Sequence, residues 1–165
     1  MSEEGLTETQ LDVRHSISSL CSQFPDSYWL ECERTHRYPH ELFNSLVSGG
    51  WIGLCIPEEY GGSGLGAREA LVMLQTIAES GASVAGAQSI HANVYPVLPL
   101  IAYGTEEQKK EWLPRIARGE IRTCFGVTEA NNGSETLKLQ TSAKKSQDGD
   151  SYIVNGQKVS WTQEK

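Results

Sequence analysis

Apolar residues recur at helical spacing over the first two thirds of the chain. Intervals of three and four positions between apolar residues are typical of amphipathic α-helices. Five segments have this pattern: residues 6–21, 39–47, 67–80, 84–103 and 105–117. Pro96 and Pro99 predict a bend or a break in the fourth segment, because proline removes a helical hydrogen bond. Residues 25–38 mix aromatic and charged side chains without a clear period, so no element is predicted there.

After Gly119 the apolar period shifts towards two, which is typical of β-strands. Asp148-Gly149 predicts a tight hairpin turn, because this pair tolerates the positive φ angles of a type I′ turn. Asn155-Gly156 predicts a second tight turn for the same reason. Three strands are therefore predicted, over residues 138–146, 151–154 and 158–162.

Together the two patterns predict the fold class α+β. An N-terminal all-α helical domain is expected over residues 1–120, followed by an antiparallel β domain over residues 121–165. The β domain is expected to be incomplete, because so few strands leave an open edge and half a core. A length of 165 residues suits one domain plus part of a second.

The charge and the apolar runs restrict the partners. A formal net charge of -7 leaves no basic face to neutralise phosphates, which argues against nucleic acid. No apolar run approaches the ~20 residues that a membrane-spanning helix needs. The N-terminal MSEEGLTETQ has neither the apolar stretch of a secretory signal nor the arginines of a transit peptide. The sequence favours a soluble intracellular protein, in the cytoplasm or peroxisome rather than the mitochondrion.

Two clusters suggest a ligand but have simpler interpretations. GGSGLG at residues 61–66 resembles a dinucleotide loop, yet it follows Pro-Glu-Glu-Tyr instead of a strand and has helices on both sides. A flexible connection to the next helix is therefore favoured. Cys32, His36 and His40 stand four positions apart, but Pro39 interrupts their helix and no fourth ligand is near. No metal site is predicted.

The segment TCFGVTEANNGSE, residues 123–135, marks the change from helical to extended character. Its small and polar residues suit an ordinary loop between two domains. They also suit a place where a large anionic ligand touches the backbone, because glycine allows close approach and serine adds a hydroxyl and an N–H. The segment alone favours neither interpretation.

Five motifs in sequence resemble the acyl-CoA dehydrogenases, and their order and spacing hold from about residue 39 onward. They are PEEYGG at 57–62, GTEEQK at 104–109, FGVTE at 125–129, GSE at 133–135 and NGQK at 155–158. The resemblance implies a helical N-terminal domain, a middle β domain and a C-terminal helical bundle. Only the first and part of the second are represented, so the chain looks truncated relative to that family.

The resemblance implies FAD as the cofactor. A strand edge at residues 125–128, including Phe125, Val127 and Thr128, would offer main-chain N–H and C=O groups to the pyrimidine side of the flavin, with Thr128 at N1 and O2. Gly133 would allow close approach, and Ser134 would contact the pyrophosphate or the nearby CoA moiety. Two further contacts complete the set. Trp161 would pack on the flavin ring, and Thr162 would form a hydrogen bond near N5. Ala130 departs from the proline that the family usually has, which is expected to loosen the loop.

The implied activity is α,β-desaturation of an acyl-CoA thioester, in which a carboxylate removes the α-proton. In the family that base is a glutamate of the C-terminal part, so no catalytic residue is expected within this chain. The matching pocket-floor positions are Ala87, Ile90, His91 and Tyr95. Positions 87, 91 and 95 share one helix face. A histidine on such a face is also typical of an ordinary core residue.

The resemblance implies several partners. They are an acyl-CoA thioester, an electron-accepting flavoprotein or oxygen, and further copies of the full-length chain in a homo-oligomer. Two other functions stay open from the sequence: a non-catalytic remnant or interaction module, and a related flavin-dependent oxidase or hydroxylase. A flavin spectrum of the purified protein would separate the remnant from the other two.

Overall fold

The computed structural model describes residues 4–159. The chain forms two compact units, Met1–Thr123 and Cys124–Lys165. Seven α-helices occur in the described part of the first unit. They are α1 Glu8–Cys21, α2 Asp26–Thr35, α3 His40–Ser48, α4 Ala67–Ile77, α5 Ser83–Val94, α6 Val97–Tyr103 and α7 Glu106–Ala117. Short 3₁₀ turns cover Trp51–Gly53 and Glu58–Tyr60, and a π-helical turn covers Ala78–Ala82. The predicted all-α character of this part is confirmed.

Two helices begin with reciprocal side-chain caps. At α7 the Thr105 hydroxyl accepts the N–H of Gln108 at 3.3 Å, and the Gln108 side chain accepts the N–H of Thr105 at 2.9 Å. Thr7 and Gln10 repeat this arrangement at α1. Each cap satisfies two N–H groups that a helix start leaves unpaired. Thr105 is also the first residue of the predicted segment 105–117, so this helix begins where the sequence predicts.

The predicted number of five helices is wrong, for two reasons. The fourth predicted segment breaks at Pro96 into α5 and α6, as its prolines allowed. The unassigned residues 25–38 contain α2. Cys32 is the one buried residue of α2. The half-buried Tyr28 ring of this helix lies 5.0 Å from the buried ring of Phe24 and 4.9 Å from the half-buried ring of Trp29. A helix that buries so narrow a stripe gives a weak periodic signal.

The first unit has one main core and a smaller second cluster. The main core gathers the apolar faces of α1, α3, α4 and α5. Its fully buried side chains include Ile17, Leu42, Leu46, Met73, Ile77 and Ile90. The second cluster joins α6 and α7 to residues 56–60 through Ile56, Tyr60, Val97, Leu113 and Ile116. The helices are held mainly by these apolar contacts.

We expect Leu46→Ala to lower the free energy of unfolding of the helical unit by about 2–5 kcal/mol. Leu46 is 0% exposed, so its truncation removes buried surface and leaves a cavity. Leu71→Ala is the matched control, because Leu71 is 59% exposed and the same change should stay within about 0.5 kcal/mol. Urea unfolding followed by circular dichroism measures both. Equal losses in the two variants would contradict the assigned core.

The second unit contains an antiparallel hairpin. Strands β1 Ser142–Lys145 and β2 Tyr152–Asn155 pair with Ala143 opposite Val154. Gly149 in the connection has φ +80°, a left-handed angle that suits glycine. Asp148 accepts the N–H of Asp150 at 3.1 Å and closes the turn. The predicted hairpin is confirmed.

Two details of the predicted β region are wrong. The first strand begins at Ser142, and residues 136–138 form a 3₁₀ turn. The backbone N–H groups of Gln140 and Thr141 bond to the Glu129 carboxylate, so they do not join the strand pair. Residues 125–128 were expected to form a strand edge, but they form no strand. The strand expected over residues 158–162 falls mostly outside the described residues.

Candidate functional site

The backbone carbonyls of Val127 and Thr128 are both engaged in hydrogen bonds. The Val127 carbonyl accepts a hydrogen bond from Lys158 Nζ at 2.8 Å, and the Thr128 carbonyl accepts the N–H of Val159 at 3.0 Å. The N–H groups of Val127 and Thr128 have no acceptor among residues 4–159. The sequence predicted that N–H and C=O groups would both face a ligand. At Val127 and Thr128 only the N–H groups are left without a partner among residues 4–159.

Glu129 lies at the centre of the second unit's polar contacts. Its side chain is 7% exposed, and its carboxylate accepts the N–H groups of Gln140 at 2.7 Å and Thr141 at 2.9 Å. Lys158 Nζ donates to the same carboxylate at 2.9 Å. The Gln140 N–H is the largest cause that lowers the pKa of Glu129 to about 2, and Thr141 and Lys158 add to it. Glu129 is therefore an ionised anchor that joins three segments.

We expect the second unit to lose stability as the pH falls from about 4.5 towards 2. The folded pKa of Glu129 is about 2 and its ordinary value is 4.5, so its contribution is present above pH 4.5 and declines below it. Hairpin resonances followed by NMR across this range measure the loss. Glu129→Gln should flatten the profile, whereas Glu135→Gln, at an exposed carboxylate, should not. Parallel profiles for all three proteins would contradict this assignment.

The turn after Glu129 is closed. Glu129 and Asn132 exchange backbone hydrogen bonds at 3.0 and 3.1 Å, and Asn132 Nδ2 donates to the Lys138 carbonyl at 2.8 Å. Whether Ala130, in place of proline, loosens this loop stays a prediction. Asn132 supplies three bonds that hold the turn without the fixed φ of proline.

Gly133 and Ser134 form an open surface beside that turn. Both are exposed, and a Cβ built on Gly133 would contact nothing within 4 Å. Gly133 also has no positive φ, so neither its conformation nor its packing in the described residues requires glycine. Ser134 uses its carbonyl to accept the Thr136 N–H at 3.1 Å. Its hydroxyl is available to a ligand that approaches this backbone.

The predicted substrate residues lie in the first unit, on or next to α5. Ile90 is fully buried in the core, and Ala87, His91 and Tyr95 are half-buried. The rings of His91 and Tyr95 lie 5.0 Å apart, as expected for neighbours on one helix face. His91 Nδ1 is buried and has no hydrogen-bond partner in the described chain. Burial, with a smaller contribution from Cys55, raises the pKa of Tyr95.

Trp161 and Thr162 lie outside the described residues, so their stacking and N5 contacts stay predictions. The roles assigned to Phe125, Val127, Thr128, Gly133, Ser134 and the α5 residues also stay predictions. Phe125, Val127 and Thr128 are half-buried, next to the exposed Gly133 and Ser134 in the chain.

The alternative ligand clusters find no support in the described residues. A Cβ on Gly62 of the GGSGLG segment would clash with the Ile56 carbonyl, so this glycine serves packing. Among residues 4–159 no group of three His, Cys, Asp or Glu side chains could hold a metal ion. None of the helices in that range is long and apolar enough to cross a membrane.

Lys158 is the functional candidate that the sequence analysis missed. It belongs to the NGQK motif, but the sequence suggested no role for its charge. In the structure its ammonium joins Val127 and Glu129, which lie 31 and 29 positions earlier. The sequence shows an acid in FGVTE and a lysine in NGQK, but only the structure shows that the acid is buried and therefore needs a charged partner.

The comparison with protein families gives one clear match. The model of the acyl-CoA dehydrogenase N-terminal domain matches residues 7–120. Acyl-CoA dehydrogenase FadE12 of Mycobacterium tuberculosis is 33% identical over 156 residues, which are 93% of this chain and 38% of that protein. The chain thus spans about two fifths of the length of this relative.

Two solved structures have the same fold. Acyl-CoA dehydrogenase from Geobacillus kaustophilus has a TM-score of 0.73 at 28% identity, over 95% of this chain and 40% of that one. Acyl-CoA dehydrogenase from Bacillus anthracis, described as complexed with FAD, has a TM-score of 0.71 at 25% identity, over 94% of this chain and 27% of that one. The family match covers most of the helical unit, and both structures extend over the hairpin. The chain belongs to the acyl-CoA dehydrogenase family.

Proposed function

We propose that this chain is the N-terminal portion of an FAD-dependent acyl-CoA dehydrogenase, which desaturates an acyl-CoA thioester between its α and β carbons. Residues 1–120 form its helical domain in this proposal, and residues 121–165 begin its flavin-binding β domain. The observation that carries the proposal is a pair of N–H groups, at Val127 and Thr128, that have no acceptor among residues 4–159 and lie close in sequence to the exposed Gly133 and Ser134. The FAD complex of the Bacillus anthracis relative supports the choice of cofactor.

The donor set fits the chemistry of FAD. The flavin pyrimidine edge carries acceptors at N1 and O2, which match the Val127 and Thr128 N–H groups and the Thr128 hydroxyl. The open Gly133 surface admits a pyrophosphate, and Ser134 offers it a hydroxyl. Bound FAD would supply the acceptor for the hydride that leaves the β-carbon. In the proposal, Thr128 and Ser134 bind and orient the cofactor. The face of α5 binds and orients the acyl group.

Further partners belong to the same proposal. An electron-accepting flavoprotein or oxygen would reoxidise the cofactor, and the whole enzyme would be a homo-oligomer. The catalytic base lies outside this chain in the proposal.

Adding FAD to the isotopically labelled 165-residue chain tests the proposal. We expect the amide resonances of Val127, Thr128 and Ser134 to shift and the flavin fluorescence to change in the same titration. NAD is the matched control, because it carries a pyrophosphate without a flavin ring. Shifts confined to the helices, or equal shifts with NAD, would refute the flavin site.

We expect His91→Ala to change acyl chain-length preference about tenfold or more, with little effect on flavin content. Truncation enlarges the space beside the half-buried face of α5 and removes Nδ1, which has no partner in the described residues. The kcat/KM values of substrates of different length should therefore change unequally. The kcat/KM values for a series of acyl-CoA thioesters, in a form of the protein that turns them over, measure this. Tyr103→Ala, at an 89% exposed position, is the control. An unchanged profile would remove His91 from the pocket.

A further inference from the structure

Lys158 makes two contacts that converge on the backbone of the proposed flavin site. Its Nζ donates to the Val127 carbonyl at 2.8 Å and to Glu129 Oε1 at 2.9 Å. The lysine side chain is 25% exposed and the glutamate 7%, so both charges are largely withdrawn from water. Lys158 Cγ also lies 3.8 Å from the position of a Cβ built on Gly126. The side chain therefore lies along residues 126–129.

The contact to Val127 fixes the direction of one peptide group. All peptide bonds of the described chain are trans, and in a planar trans peptide the C=O and N–H point to opposite sides. The Val127 carbonyl points at the ammonium, so the Thr128 N–H in the same peptide points away from it. That N–H has no acceptor in the described residues. The same side chain that holds the carbonyl leaves the amide available to a ligand.

The charge of Lys158 also acts on the donor strength of that amide. A carbonyl that accepts from an ammonium is polarised, and polarisation passed through a peptide strengthens its N–H as a donor. Glu129 keeps the ammonium in place, since a buried cation without a counterion is costly. The pair therefore orders and polarises the Val127–Thr128 peptide together.

We propose that Lys158 is a positioning residue of the flavin site, acting through the Val127–Thr128 peptide to aim the Thr128 N–H at the acceptor edge of the flavin. This inference rests on the proposed function. It adds a residue whose contacts to the ligand are indirect: Lys158 aims the donor, Glu129 holds Lys158, and Thr128 makes the bond. Flavin affinity then depends on a charge that does not touch the flavin.

The test compares Lys158→Met with wild type and with Lys158→Arg in the 165-residue chain. Without ligand, Lys158→Met should shift the carbonyl carbon resonance of Val127 and the amide of Thr128 while the hairpin resonances persist. FAD affinity, from fluorescence titration, should fall about tenfold, as for one charge-assisted hydrogen bond. Lys158→Arg should retain most of the wild-type FAD affinity. Lys138→Met removes an exposed lysine that pairs with Glu135. It should change neither the Val127 and Thr128 resonances nor the FAD affinity.

The outcomes separate the two proposals. If wild type fails to bind FAD, the proposed function fails, while the Val127 and Thr128 resonances still decide whether Lys158 orients the peptide. Unchanged resonances, or unchanged FAD affinity in Lys158→Met, overturn the role of Lys158 and leave FAD binding standing. If Lys158→Met loses the hairpin, Lys158→Met/Glu129→Gln removes the stranded charge. Loss of the hairpin there too overturns the proposal, because Lys158 would then serve the fold.

Discussion

Replacing Ser134 by leucine is expected to abolish FAD binding by the chain and to leave the helical unit folded. Ser134 is exposed, and its described hydrogen bond uses the backbone carbonyl, which leucine retains. The larger side chain would occupy the open surface beside Gly133 and would remove the hydroxyl. A lost charge-assisted bond and a steric clash together lower affinity by roughly a hundredfold or more. Fluorescence titration with FAD measures the affinity, and circular dichroism the helical content.

Two further variants define what a loss of binding means. Ser142→Leu places the same side chain on an exposed strand position of the same unit and should keep FAD affinity. Gly133→Ala adds a Cβ that contacts nothing in the described chain, so any loss of affinity reports a ligand at that point. Full FAD affinity in Ser134→Leu would mean that the pyrophosphate lies elsewhere.

The helical unit was largely predictable because its signals are local. A capping residue and its partner stand three positions apart, as Thr105 and Gln108 do, and a helix break needs only Pro96. The helix α2 escaped prediction because its burial comes from rings that pack on one another. Periodicity detects a helix that lies on a core, and α2 contributes little to one.

The second unit was predictable only where the chain pairs with its neighbour in sequence. The turn at Asp148-Gly149 gave the hairpin, but the strand limits depended on Glu129, which withdraws the N–H groups of Gln140 and Thr141 from pairing. The candidate site, too, was predictable only in part. Motifs indicated Thr128 and Ser134 by resemblance, whereas the bond from Lys158 to Val127 spans 31 positions and has no periodic signature. The spacing of residues along the sequence does not reveal a hydrogen bond from a side chain to a backbone group that is distant in sequence.

Four glutamates in the motifs that resemble the family are poorly suited to remove an α-proton. Glu129 is held by Gln140, Thr141 and Lys158, and its pKa of about 2 makes it a weak base. Glu135 lies at the surface and pairs with Lys138 at 3.0 Å. By resemblance, neither they nor Glu58 and Glu59 occupy the place of the family's base. A general base must lie within hydrogen-bond reach of the proton it takes.

We therefore expect the 165-residue chain not to desaturate acyl-CoA thioesters at an enzymatic rate, even with FAD bound. Absence of a positioned base costs about 10²–10⁴-fold in rate. Anaerobic addition of a panel of acyl-CoA thioesters should leave the flavin absorbance unchanged, and dithionite added afterwards should bleach it, which shows that the flavin can be reduced. Rapid bleaching by a thioester would place a base within these residues. Glu129→Gln would then test the most buried candidate, and retained bleaching would exclude Glu129.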